Sequence, residues 1–246
     1  MRGLCLLLVL ALAACTSSVP GTGEHQTIEM ARAAMKGGAP QTALQILTDA
    51  AAHGTPSVEA LVLQGDALTS LGRYDQAGIA YDQALRRDAK SGGALDGLGR
   101  LKLSSDPAQA EAYFLAATRT DPRDTTAWND MGVARDLQGH HEGAQEAYRQ
   151  ALGINPELSS AVVNMALSLA MTGRGEEGVR MLRPLADNPN ATPKIRHDLA
   201  AALTMSGHRA EAEQILSADL SPSDVRQALD AYATARAPQP AAPPAR

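Results

Sequence analysis

Residues 125–157 read TTAWNDMGVARDLQGHHEGAQEAYRQALGINPE. Trp128, Met131 and Gly132 fall on one face of a first helix, because residues three and four apart stack along a helix. Gly139 ends that helix, and a glycine there accepts the left-handed backbone of a helix terminus. Ala144, Tyr148 and Ala151 share one face of a second helix, which Pro156 stops. Gly132 and Ala144 are small, and two helices cross closely only where no large side chain intervenes. Trp128 and Tyr148 fill the space above and below the crossing.

A large aromatic, a Met-Gly pair, then Ala, Tyr, Ala and Pro in this order resemble the tetratricopeptide repeat (TPR), a helix–turn–helix unit of 34 residues. One unit cannot bury its own apolar face, so it needs neighbours. The chain supplies them. The small residue of the first helix recurs at Ala31, Gly65, Gly99, Gly132, Ala166 and Ala200. That of the second helix recurs at Ala43, Ala77, Ala110, Ala144, Gly178 and Ala212. The bulky residue four further on is Leu47, Tyr81, Phe114, Tyr148, Leu182 and Leu216, and the turn glycine is Gly38, Gly72, Gly139, Gly173 and Gly207. Three registers kept in step over six periods exclude chance. The resemblance implies an all-α fold: a right-handed TPR superhelix (α-solenoid) of about six helix–turn–helix repeats, ended by a C-terminal capping helix.

Departures from the pattern are informative. The third repeat has Ser104-Ser105-Asp106-Pro107 in place of the turn glycine and is one residue short. Asp106 reads as an N-cap and Pro107 as the first turn of the next helix. Gly178 and Asp219 stand at positions that hold Ala elsewhere, and the last repeats lose their aromatics, which predicts looser packing there. Ser221-Pro222-Ser223-Asp224, followed by Val225, Leu229 and Tyr232, predicts a closing helix over 221–236. Residues 237–246 (APQPAAPPAR) read as a Pro/Ala-rich disordered tail. The six repeats occupy 24–220.

Aromatics make up 3% of the chain and apolar residues 44%, so the apolar content is largely Ala and Leu. These are strong helix formers and poor strand formers, which agrees with closely packed helices. The net charge of −5 carries no basic excess, and a nucleic-acid phosphate track is not expected.

At the N-terminus, Met1-Arg2 is followed by an apolar run from Leu4 to Leu12 and then by Leu12-Ala13-Ala14-Cys15. The run has the length of a signal h-region and is too short for a permanent span. Leu-Ala-Ala-Cys resembles the bacterial lipobox, which implies a signal peptide over 1–14 and lipidation of Cys15. Thr16, where an Asp would argue for inner-membrane retention, implies an outer-membrane anchor with the body in the periplasm. Residues 15–23, rich in Ser, Thr, Gly and Pro, read as a flexible tether. Removing 1–14 takes away Cys5 and, of the charged residues, only Arg2, leaving a side-chain balance of −6. A lipidated Cys15 then leaves no thiol for a disulfide or metal site.

No catalytic constellation stands out, and no enzyme activity, cofactor, metal or small-molecule substrate is expected. Gly97-Leu98-Gly99 lacks a third glycine and lies in a helix, not after a strand. His140-His141-Glu142 falls at a turn with no cysteine to complete a zinc set. The first helices should instead line a concave groove that holds a protein segment. In the TPR register its positions are Ile28 and Arg32, Val62 and Asp66, Asp96 and Arg100, Asn129 and Val133 with Asp136, Val163 and Leu167, then His197 and Ala201. Polar residues in the middle, with Val163 and Leu167 exposed beyond them, suit a segment that carries a charged group and an apolar stretch. The paired Lys and Asn of a carboxylate clamp are not present together.

Lys194-Ile195-Arg196-His197-Asp198-Leu199-Ala200, then Ser206-Gly207-His208-Arg209-Ala210-Glu211-Ala212-Glu213, then Ala218-Asp219-Leu220-Ser221-Pro222-Ser223 resemble the end of the TadD family of Tad/Flp pilus assembly lipoproteins. The lipobox, the repeat number and the closing helix agree with it. This resemblance implies a lipid-anchored outer-membrane protein facing the periplasm. Its partner would be a secretin or another pilus or secretion subunit, toward which it acts as a pilotin. The alternative is a TPR adaptor lipoprotein for outer-membrane protein insertion or for a cell-wall synthase.

Overall fold

The computed structural model describes residues 22–235. The signal peptide, Cys15, most of the tether and the tail lie outside them. Thirteen helices are described: α1 (Thr22–Lys36), α2 (Pro40–Ala51), α3 (Val58–Ser70), α4 (Tyr74–Arg87), α5 (Gly92–Lys102), α6 (Pro107–Thr120), α7 (Thr125–Leu137), α8 (His141–Ile154), α9 (Ser159–Met171), α10 (Gly175–Ala186), α11 (Pro193–Met205), α12 (Arg209–Leu216) and α13 (Pro222–Thr234). The first twelve form six antiparallel pairs, and α13 packs on α11 and α12. The fold is the all-α TPR superhelix.

Local chemistry sets each boundary. The five turn glycines have φ between 71° and 90°, a left-handed conformation that costs any residue with a Cβ. Ser57, Thr192 and Ser221 cap α3, α11 and α13 through their hydroxyls, and Asp124 caps α7 by accepting from the backbone N–H of Thr126 and Ala127. In the glycine-free third turn, Asp106 accepts from the Gln109 N–H at 3.0 Å and Pro107 begins α6, as its sequence predicts. α1 starts at Thr22, inside the stretch read as tether. The Glu24 carboxylate accepts the Ser57 N–H at 2.7 Å, which fastens this first turn to the start of α3.

Inside each pair, size is matched across the crossing. A Cβ on Gly65 would lie 2.4 Å from the Tyr81 ring, one on Gly99 2.5 Å from Phe114, and one on Gly132 2.4 Å from Tyr148. Where the small residue is Ala31, Ala166 or Ala200, its partner is Leu47, Leu182 or Leu216, and all six are buried. Glycine therefore makes room for an aromatic ring, and alanine suffices beside leucine. The looser packing expected around Gly178 is not found. A Cβ there would lie 2.3 Å from the Ala166 carbonyl oxygen, so the glycine permits a closer approach of α10 to α9.

Consecutive first helices pack closely on one another at α1–α3, α3–α5, α7–α9 and α9–α11, the exception being α5–α7, where the approach is looser although Leu95 and Ala127 share one apolar cluster. That exception follows the repeat whose turn is one residue short. Side chains span the α5–α7 joint.

Candidate protein-binding groove

The first helices supply the groove, and register along each helix decides how far a side chain reaches into it. The first position of the register holds Ile28, Val62, Asp96, Asn129, Val163 and His197, of which Val62 and His197 are half-buried and the other four buried. Asp96, Asn129 and Val163 are only 6–7% exposed and form a floor. Val163, expected on the exposed strip, is buried among Leu199, Leu203 and their neighbours. Four residues on, Arg32, Asp66, Arg100, Val133 and Leu167 stand higher and are accessible in part or in full, whereas Ala201 is buried.

At the N-terminal end the Arg32 guanidinium pairs with Glu29 on its own helix and Glu59 on α3. Asp66 accepts the Tyr81 hydroxyl at 2.8 Å. Burial pushes the Asp66 carboxyl above its ordinary range, against the Tyr81 hydrogen bond and the charge of Arg100. The Tyr81 phenol is raised as well, by burial and then by Asp66.

In the middle, Arg100 Nε donates to Asp130 Oδ2 at 2.8 Å, the ion pair that crosses from α5 to α7. Asn129 Nδ2 donates to Asp130 Oδ1 at 2.9 Å, and Asn164 Nδ2 donates to Asn129 Oδ1 at 3.0 Å, which continues the chain to α9. Beneath them, Asp96 Oδ1 is buried with no donor. Burial raises the Asp96 carboxyl to about 7, and Asp124 and Asp130 push the same way while Arg100 opposes them.

Asp136 is the keystone of the next joint. Its Oδ2 accepts the Tyr148 hydroxyl at 2.9 Å from α8, and its Oδ1 lies 2.8 Å from His141 Nδ1 and accepts the Ser168 hydroxyl at 2.9 Å from α9. Burial raises the Tyr148 phenol far above its ordinary value, and the Asp136 charge adds to this. His141 thus holds the carboxylate that ties α7, α8 and α9 together.

Above this network lies a pocket of about 230 Å³, lined by Val133, Asp136, Leu137, Tyr148, Asn164, Leu167, Ser168 and Met171. The sequence reading places Val133, Asp136 and Leu167 here. Leu137, 56% exposed, Asn164, Ser168 and Met171 were missed. Helical spacing carries their signal, because Leu137 and Met171 lie one turn beyond Val133 and Leu167 on the same stripe. The pocket has apolar walls and a polar base, as sites for peptide side chains do. At the C-terminal end His197 Nε2 lies 3.5 Å from Asp219 Oδ2 without hydrogen-bond geometry. Arg196 holds that carboxylate through contacts at 2.9–3.2 Å. Arg32, on α1, is thus far from the pocket in repeat order, and His197, on α11, stands in the repeat next beyond it.

Among the described residues, no three His, Cys, Asp or Glu side chains group where they could hold a metal ion. No described helix is long and apolar enough to cross a membrane.

A family model described as tetratricopeptide repeat matches residues 28–92 and 104–159. The uncharacterised protein y4yS of Sinorhizobium fredii is 36% identical over 103 residues, which cover 40% of this chain and 57% of that protein. The chain thus spans little more than half the length of this curated relative. Among solved structures, PilW, a type IV pilus biogenesis factor, superimposes with a TM-score of 0.72 at 20% identity, covering 84% of this chain and 97% of that one. PilF of Pseudomonas aeruginosa gives a TM-score of 0.70 at 16% identity, covering 85% and 96%. At these identities the likeness is one of fold.

Proposed function

The chain is a tetratricopeptide-repeat solenoid, and from that premise we propose that it is a non-enzymatic, lipid-anchored protein that holds a segment of a partner protein in its groove. In this reading, acyl chains on Cys15 fix it to the outer membrane and the solenoid faces the periplasm. The partner is a secretin or another subunit of a Tad/Flp pilus machine, which the protein helps to place or assemble as a pilotin.

One observation carries the groove reading. Leu137 is 56% exposed beside Val133, Leu167 and Met171, over a base fixed by Asp136. A large apolar side chain left open next to an ordered polar base gives a partner residue both apolar burial and orientation. Support for the machine comes from the lipobox, from the TadD-like C-terminal third, and from a shared fold with PilW over 84% of the chain.

The test is to replace Cys15 with Ser in the source bacterium and follow the secretin by membrane fractionation. The proposal expects secretin to leave the outer-membrane fraction and piliation to fall. Unchanged outer-membrane secretin with normal piliation would sink the pilotin role. Recovery of an outer-membrane insertion factor or a cell-wall synthase by periplasmic crosslinking would move the protein to the adaptor class.

A further inference from the structure

Gln64 breaks the register of the first helices. The residue just before the small position is Leu98, Met131, Met165 and Leu199 in the four repeats that follow, and all four are buried. Gln64 stands there in the second repeat and is half-buried. A carboxamide in an apolar position costs free energy unless something bonds it. Gln64 lies two residues on from the groove position Val62, on the opposite side of α3. There it lines a pocket of about 410 Å³ whose other walls are α2 and α4, the second helices of the first two repeats.

Every glutamine from Gln41 to Gln83 lines this pocket: Gln41 and Gln45 on α2, Gln64 on α3, Gln76 and Gln83 on α4. Among the described residues only Gln45 of the five is engaged, its Nε2 donating to Asp49 at 2.7 Å. Thr48 and Arg73 complete the polar set, and the buried Leu44, Leu68 and Ala80 supply apolar surface. The lining holds no carboxylate and, beside Arg73, no other cation. A carboxamide both donates and accepts, so the matching ligand is neutral and rich in groups that do the same. An extended peptide offers one N–H and one C=O per residue, about 3.3 Å of length. A sugar ring carries several hydroxyls in little more than that span, and seven polar side chains around one pocket match the denser set. The volume lies in the range of small-ligand sites, roughly 300–1,000 Å³.

We propose that this outer pocket is a second binding site, for a neutral oligosaccharide of N-acetylated hexosamines. The glutamine carboxamides bond its hydroxyl and acetamido groups, and the acetamido methyl packs on Leu44, Leu68 and Ala80. The site lies on the other side of α3 from the groove, so a glycan and a partner segment can be held together. Its source rests on the periplasmic reading above, which puts the cell-wall glycan strand within reach. The protein then touches the wall through its second helices while its first helices hold the partner.

The experiment uses the full chain, labelled with ¹⁵N-glutamine, in a detergent without a sugar headgroup. Chitotetraose, maltotetraose and a neutral Gly/Ser decapeptide are titrated in turn, and the glutamine side-chain NH₂ signals are followed. Chitotetraose should shift the Gln64, Gln76 and Gln83 signals and bind about ten-fold tighter than maltotetraose. Gln64→Leu installs the residue of Leu98 and Leu199, so it should melt at or above the wild-type temperature while losing about ten-fold in chitotetraose affinity. Gln76→Ala with Gln83→Ala, both at exposed positions, should lose as much with the fold unchanged. No chitotetraose binding, equal binding of maltotetraose, tighter binding of the decapeptide, or full affinity in both variants would each overturn the inference. Retention on purified cell-wall sacculi, lost in Gln64→Leu, supports the wall as the source; retention on lipopolysaccharide vesicles alone would overturn it. All of these outcomes leave the groove reading standing, which crosslinks formed in the cell judge separately. The periplasmic reading is judged by fractionation.

Discussion

The Tyr148 ring occupies the space that a side chain on Gly132 would need, since a Cβ there would lie 2.4 Å from ring atom Cε1. The same relation joins Gly65 to Tyr81 and Gly99 to Phe114, whereas the alanine repeats use leucine. The second, third and fourth repeats therefore carry their aromatic rings against a bare helix backbone. Two of those rings, Tyr81 and Tyr148, then extend a hydroxyl to a groove carboxylate, Asp66 or Asp136.

Gly132→Ala should push the ring aside and cost about 1–3 kcal/mol, with Gly132→Leu at or above the top of that range. Adding Tyr148→Leu to Gly132→Ala reproduces the Ala166–Leu182 pairing and should return part of the loss. Chemical denaturation of both single variants and the double variant measures this. Losses that simply add would refute the size matching.

The Asp96 carboxyl sets a pH dependence. Its pKa rises from 3.8 unfolded to about 7 folded. The stability it contributes is therefore complete below pH 4 and is lost as pH rises through 7. Asp96→Asn removes this loss. Its melting temperature should match wild type near pH 4 and exceed it above pH 7, with a gain of order 3 kcal/mol, or about 6–12 °C. A difference independent of pH would contradict the burial of an ionisable Asp96.

Asp136→Ala should loosen the joint between α7 and α9 by leaving the Tyr148 and Ser168 hydroxyls without their acceptor. The expected cost is about 2–4 kcal/mol, and less for Asp136→Asn, which keeps one acceptor. Hydrogen exchange should quicken in α8 and α9 and stay unchanged in α1 to α4. Uniform quickening along the solenoid would argue against a local keystone.

The repeat register was legible in the sequence because small, bulky and glycine positions return every 33 or 34 residues, and a crossing geometry demands that recurrence. The exposed groove was legible in part. Arg100, Val133 and Leu167 are where the register puts them, but Val163 is buried and Leu137 was overlooked. Register fixes the direction in which a side chain leaves its helix, not how closely the next first helix approaches. The roles of Asp136 and Asp96 were hidden for a related reason. Ser168, which bonds Asp136, and Asp124, whose charge raises the Asp96 carboxyl, lie 32 and 28 residues away in the chain, and a short-range pattern does not connect them. Gly178 misled because glycine at an alanine position reads as a gap, although here it marks a closer approach to Ala166.

Leu137→Glu should leave the melting temperature within about 1 °C of wild type, because the side chain is 56% exposed. It should nevertheless weaken partner binding by placing a charge beside Leu167 and Met171. Piliation or secretin placement reads the effect. Unaltered function with a stable Glu variant would remove this pocket from the interface.

Site-specific photocrosslinking in living cells tests the central claim most directly. A photoreactive residue is placed at Leu137 in the groove or at Ile79, which is 56% exposed on a second helix. The partner is identified by mass spectrometry. The account predicts one defined product from Leu137, containing a secretin or another pilus subunit, none from Ile79, and loss of the Leu137 product in the Cys15→Ser background. The same product from both positions, or a product from Ile79 alone, would contradict a groove-binding function.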